Sequence, residues 1–94
     1  MGQVHGTCDA KFTAVREALA RRFDADELGA SLAIDLNGKI VVDLWGGFCD
    51  EARTRPWSQD TIVNVWSTTK TVTALAALTL VERGLLDVYA PVAR

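Results

Sequence analysis

The chain has 94 residues, room for one domain at most, and a domain this small buries only a modest fraction of its surface on folding. Hydrophobic residues make up 49% of it and charged residues 23%, which excludes a disordered or fibrous chain. Ten Lys and Arg against twelve Asp and Glu give a formal charge of −2 with the signs interleaved, so no basic surface for nucleic acid is encoded.

Cys8 and Cys49 lie too far apart for a Cys-x-x-Cys pair or a zinc ladder, so two unpaired thiols in a reducing compartment are expected. Neither a metal site nor a cofactor is indicated. The run Met1 to Thr7 has no apolar core for export, and Gly6 stands where an N-myristoylation signal needs Ser or Thr. A cytoplasmic protein is expected. The longest apolar stretch, Val72 to Val81, is about half of a membrane crossing and carries Thr73 and Thr79. It reads as buried helix, with no membrane span.

From Asp9 onward, Phe12, Val15, Leu19 and Phe23 recur at spacings of three and four, with Glu17 four residues before Arg21 on the wet side. This predicts an amphipathic helix, capped by Thr7 or Asp9 and ended around Asp24, Asp26 and Gly29. Two runs of period two follow, Ala30 to Leu36 and Lys39 to Trp45, joined at Asn37-Gly38, a strong hairpin signal.

The register of this hairpin can be argued from its faces. A two-residue loop sets Ile34 opposite Val41 and Leu32 opposite Asp43, placing a carboxylate among apolar side chains. One extra residue in the turn sets Ile34 opposite Val42 and Leu32 opposite Leu44. The second choice collects Ala30, Leu32, Ile34, Leu36, Ile40, Val42 and Leu44 on one face, with Ser31, Asp35, Asp43 and Trp45 on the other. It predicts a three-residue, bulged loop, against which a pairing of Leu36 with Lys39 would count.

Gly46-Gly47 closes the hairpin, and the polar stretch Asp50 to Asp60 reads as a surface connection. After a short extended piece, Thr61 to Trp66, a helix is predicted from about Ser67 to Arg83, ended by Gly84 as a left-handed cap. Val72, Leu75, Ala76, Leu78, Leu80 and Val81 fit no single narrow stripe, so that helix needs cover on several sides. One hairpin and one amphipathic helix shield about two of its faces. The chain is therefore expected to be part of a larger domain, or to meet another copy of itself through this surface.

Chemistry concentrates at Ser67-Thr68-Thr69-Lys70. Residues three apart on a helix share a face, which brings the Lys70 amine within hydrogen-bond reach of the Ser67 hydroxyl. A serine is inert without a base, and an amine that near removes its proton as it attacks a carbonyl carbon. The unpaired N–H groups of the first turn carry positive potential that suits a developing oxyanion. The same potential opposes a charged lysine by roughly 0.3–1 kcal/mol, so Lys70 is costly there as mere structure. A bare Ser-x-x-Lys arises by chance about once in a few hundred residues, and then Ser67 is an N-cap and Lys70 a solvated side chain. A helix that is apolar all round behind the tetrapeptide favours the chemical reading.

The run Asn64-Val65-Trp66-Ser67-Thr68-Thr69-Lys70-Thr71-Val72-Thr73-Ala74-Leu75, continuing to Glu82-Arg83-Gly84-Leu85-Leu86-Asp87 and Ala90-Pro91-Val92, resembles the nucleophile helix of class C β-lactamase and penicillin-binding-protein-like serine hydrolases. Within that superfamily it is most similar to the β-lactamase-related carboxylesterases. The hairpin ending Asp43-Leu44-Trp45-Gly46-Gly47 and the helix before it resemble the same family, so the whole chain is covered.

The resemblance implies an α+β, β-lactamase/transpeptidase-like fold, of which residues 1–94 form the N-terminal portion of a single domain. It also implies acylation of Ser67, with Lys70 as general base, and hydrolysis of a small acyl substrate that is an ester, an amide or a β-lactam. The family's second motif, Tyr-x-Asn or Tyr-x-Ser, and its third, a Lys- or His-containing strand, are not in these residues. Tyr89, followed by Ala90, does not match. The isolated 94 residues are therefore expected to have no appreciable turnover, and a catalytically inactive binding or structural fragment of the same fold is the alternative.

Trp66, beside the nucleophile, is the candidate substrate-binding wall. His5, the only histidine, is expected in a frayed N-terminus, leaving no Ser-His-Asp triad.

Overall fold

The computed structural model describes residues 2–93; Met1 and Arg94, which end the two terminal runs read above, lie outside the described residues. The chain divides into two compact units, Met1–Ile62 and Val63–Arg94.

The first unit is a three-stranded antiparallel sheet carrying one helix. Its elements are β1 (Val4–Cys8), a 3-10 turn (Ala10–Phe12), α1 (Thr13–Ala25), β2 (Gly29–Leu36) and β3 (Lys39–Gly47). The strand order is β1-β3-β2, so β3 is central and both neighbours run antiparallel to it. A central strand loses water from both edges and one face, and β3 accordingly supplies the core: Val42 and Leu44 are 0% exposed and Val41 is 8% exposed. Val4, Cys8, Phe12, Val15, Leu19, Leu32 and Ile34 pack around them, Phe12 coming from the 3-10 turn and Val15 and Leu19 from one stripe of α1. Burying a side chain the size of Val42 or Leu44 is worth roughly 1.5–3 kcal/mol each.

β1 corrects the expectation of a frayed N-terminus. Val4 to Cys8 pair with Gly46 back to Val42, and His5, opposite Trp45, stacks on its ring with centroids 6.4 Å apart. Arg16 of α1 ties strand to helix, its guanidinium donating to the carbonyl oxygens of Val4 at 2.7 Å and Gly6 at 3.4 Å. A five-residue strand with weak alternation has little local signal, and what orders it is an edge almost forty residues further along. The helical start is corrected as well. Asp9 caps the 3-10 turn by accepting from the Lys11 N–H at 3.0 Å, and the α-helix proper begins at Thr13. Thr7 lies in β1, opposite Asp43.

The hairpin combines features that the sequence reading treated as alternatives. Leu32 does face Leu44 and Ile34 does face Val42, but Leu36 pairs with Lys39 across a two-residue turn, so the three-residue loop is overturned. Asn37 and Gly38 both have positive φ, +54° and +82°, the signature of a type I′ turn, and the Gly38 N–H donates to the Asp35 carboxylate at 2.8 Å. The extra residue sits inside β3 as a bulge: Asp35 faces Ile40 and Ile34 faces Val42, leaving Val41 over. Val41 and Val42 therefore both turn into the core, while Ile40 and Leu36, assigned to the core face by strict alternation, are exposed. The Val41 carbonyl accepts from the Asp9 N–H at 2.8 Å, which continues the β1–β3 register one residue past Cys8.

Asp43 stays off the core as expected, accepting from the Gln59 side chain at 3.1 Å. The stretch after β3 is a surface connection, and the carboxylate of Asp50 organises it by accepting from the Arg55 N–H at 2.9 Å, the Thr54 N–H at 3.0 Å and the Thr54 hydroxyl. Those bonds, the Thr54 hydroxyl foremost and then the Arg55 N–H, hold the Asp50 carboxyl below its ordinary range.

The second unit consists of a 3-10 turn (Trp66–Thr68), α2 (Thr69–Glu82) and the turns that follow. Its Ala- and Leu-rich stretch has high helix propensity, and two of its threonines donate their hydroxyls to carbonyls one turn back, Thr73 to Thr69 at 3.3 Å and Thr79 to Leu75 at 3.0 Å. The predicted stop is confirmed in detail. Gly84 has φ +71°, its N–H reaches the Val81 carbonyl at 3.0 Å, and the Leu85 N–H reaches the Leu80 carbonyl at 2.9 Å, which is the Schellman arrangement. No residue of α2 is buried; Val72, Leu75, Leu78 and Leu80 are exposed, so the second unit by itself does not supply the cover that the composition of α2 calls for.

No helix among the described residues is long and apolar enough to cross a membrane.

Candidate active site

Ser67 is the middle residue of the 3-10 turn and Lys70 the second residue of α2, so the predicted helix start is displaced by about one residue and sharpened into a tighter turn. The two side chains converge. Lys70 Nζ donates to Ser67 Oγ at 3.0 Å, the contact that Ser-x-x-Lys spacing allows on a helical turn. Ser67 makes no capping hydrogen bond to the helix backbone, and neither does Thr68, the residue before α2. The simple N-cap reading of Ser67 is thus not the geometry found, and the first-turn N–H groups of α2 are left without a side-chain acceptor. Ser67 and Lys70 are both exposed.

Trp66 stands immediately before the pair, and its side chain is 80% exposed. Its backbone has φ +51°, in the left-handed region that a bulky L-residue rarely enters. The residue that holds it there is Asn64, whose side-chain oxygen accepts from the Trp66 N–H at 2.9 Å. Sequence reasoning passed over Asn64. The available signal was an Asn two residues ahead of a turn, where its side chain mimics a backbone acceptor.

Tyr89 lies in a turn, as expected, its N–H on the Asp87 carboxylate at 2.9 Å. Cys8 and Cys49 are both free. The Cys8 thiol donates to the Phe12 carbonyl at 3.3 Å, and that of Cys49 lies 3.9 Å from the Thr61 hydroxyl. Among the described residues no cluster of three or more His, Cys, Asp or Glu could hold a metal ion.

The α+β architecture, a small antiparallel sheet with two helices, is that of β-lactamase/transpeptidase-fold esterases. A solved family VIII carboxylesterase superposes with a TM-score of 0.87 and 48% identity over 97% of this chain and 25% of its own. A penicillin-binding protein homolog from Caulobacter crescentus gives a TM-score of 0.79 and 45% identity over 87% of this chain and 22% of its own.

The Beta-lactamase family profile matches residues 14–94, and the chain belongs to that family. Among characterised relatives, Esterase/beta-lactamase LipL of Mycobacterium tuberculosis is 42% identical over 92 residues, which are 97% of this chain and 21% of LipL. Esterase EstB of Burkholderia gladioli is 39% identical over 67 residues, 71% of this chain and 17% of EstB. The chain thus spans a quarter or less of each relative.

Proposed function

We propose that these 94 residues carry the acylation centre of a serine hydrolase acting on small acyl substrates, with Ser67 as nucleophile and Lys70 as general base. The observation that carries the reading is the 3.0 Å contact between Lys70 Nζ and Ser67 Oγ at the start of a helix. In its amine form Nζ takes the hydroxyl proton while Oγ bonds to the substrate carbonyl carbon. The tetrahedral oxyanion collapses, the alcohol, amine or β-lactam nitrogen leaves with a proton, and water then hydrolyses the acyl ester on Ser67. The positive end of α2 favours the oxyanion. Trp66, exposed beside the nucleophile, forms part of the cleft wall.

The rest of the cleft, in this reading, lies outside these residues, in the remainder of a single β-lactamase-like domain of which they are the N-terminal portion. Two facts support that: relatives four or more times as long, and the exposed apolar side chains of α2. We place the protein in a reducing, cytoplasmic setting, a reading supported by the two free thiols.

The test is labelling of the intact protein with a fluorophosphonate and a fluorescent penicillin, together with p-nitrophenyl acetate hydrolysis. Covalent adducts on Ser67, lost in Ser67→Ala along with turnover, are the expected outcome. An intact protein that hydrolyses the ester equally well without the Ser67 hydroxyl refutes the assignment. The 94 residues alone are expected to show no steady hydrolysis.

A further inference from the structure

We propose that Asn64 is a positioning residue for the nucleophile, acting through the backbone of Trp66; this rests on the assignment of Ser67 and Lys70 above. Three observations join. Trp66 has φ +51°, a conformation that costs an L-residue roughly tenfold or more in population. The Asn64 side-chain oxygen takes the Trp66 N–H at 2.9 Å, the bond that compensates that conformation. The next residue is Ser67, whose Oγ meets Lys70 Nζ at 3.0 Å.

A positive φ reverses the local course of the backbone, so the chain turns sharply after Val65, at φ −99° and ψ 5°, into the 3-10 turn with Ser67 on the face that Lys70 shares. Were Trp66 to relax to negative φ, the turn would open and Ser67 Oγ would rotate away from Nζ. Strain of this kind persists only where neighbouring groups hold it, and the Asn64 carboxamide is the group in place. Asn64 touches no reacting atom in this scheme. Its effect is on how often the pair is assembled.

The experiment is a cycle in the intact protein, read as the second-order rate of fluorophosphonate labelling at Ser67. Asn64→Ala should slow labelling about tenfold. Asn64→Asp, which keeps an acceptor oxygen, should recover most of the loss. Whatever Trp66→Gly costs by itself, adding Asn64→Ala in that background should slow labelling less than twofold, because glycine takes positive φ without help. Thermal midpoints recorded for every variant separate this pattern from general unfolding, which the Trp66→Gly background would not rescue. A full tenfold loss persisting in that background overturns the proposal. So does a crystal structure of Asn64→Ala in which Trp66 keeps its positive φ with Ser67 and Lys70 unmoved, whatever the activity. A wild-type protein that no probe labels at Ser67 overturns the hydrolase assignment itself, and with it the role given to Asn64.

Discussion

Lys70 Nζ and Ser67 Oγ are held 3.0 Å apart by a single turn that begins directly after a tryptophan at φ +51°. Neither residue type would attract notice in isolation. The contact lies wholly within a stretch of seven residues, Asn64 to Lys70, so it is a product of local backbone geometry.

If Lys70 serves as base, its removal should act on the chemical step. Lys70→Met keeps most of the length and loses the amine; in the intact protein kcat for ester hydrolysis is expected to fall by about 10²–10⁴ with KM changing far less. Steady-state kinetics with p-nitrophenyl acetate decide this, and a loss expressed in KM alone would assign Lys70 to binding.

Leu44 is the centre of the first unit, fully enclosed between α1 and the sheet. Leu44→Ala removes that packing and leaves a cavity, for an expected loss of about 2–5 kcal/mol in urea unfolding. The exposed Leu36, on a strand of the same sheet, should tolerate alanine within about 0.5 kcal/mol. Equal costs at the two sites would contradict the bulged register.

Gly46 is required by proximity. A Cβ at that position would stand 2.5 Å from the Gln3 carbonyl oxygen and 2.7 Å from the Phe23 ring, so the backbone leading into β1 would have to shift and the ring of Phe23 to turn away. Gly46→Ala should cost about 1–3 kcal/mol. Gly38, with open space around it, should pay only for its positive φ. Comparing thermal midpoints of the two alanine variants checks the distinction.

Asp50 supplies a pH dependence whose sign is fixed. Its folded-state pKa is lowered, chiefly by the Thr54 hydroxyl and the Arg55 N–H, so its contribution is fully present above the ordinary carboxylate range and is lost as pH falls through the lowered value. Amide hydrogen exchange at Thr54 and Arg55 should therefore quicken on acidification relative to the rest of the unit. Asp50→Asn should remove that extra acid sensitivity, and an unchanged pH profile in the variant would sink the assignment.

The hairpin shows how far pattern reasoning reaches and where it stops. Burying apolar side chains against a carboxylate-free face demanded that Leu32 meet Leu44, and they do meet. The same demand could be satisfied by an extra residue in the loop or by one in the strand. Choosing between them needed the type I′ preference of Asn37-Gly38 and a partner for the Val41 carbonyl, which is the Asp9 N–H beyond the end of β1. That partner is thirty-two residues away in sequence, so the choice is tertiary.

The site divides in the same way. Spacing alone put Ser67 and Lys70 on one face, because the helical repeat is fixed by backbone sterics whatever surrounds it. The positive φ of Trp66 and the role of Asn64 carried no comparable signal, since an Asn is an ordinary turn residue until its acceptor is seen on a particular N–H.

The amino-acid sequence by itself determined the period of the two helices and of β2, the turn at Asn37-Gly38, the stop at Gly84 and the family to which the chain belongs, all of which depend on interactions within a few residues or on the identity of a contiguous run. Tertiary structure alone decided that Val4–Cys8 is a strand, that Val41 is the bulged residue, and that Gly46 must lack a side chain. Each of those is set by a backbone or ring brought close from a distant part of the chain, and no local pattern encodes which distant atom will arrive.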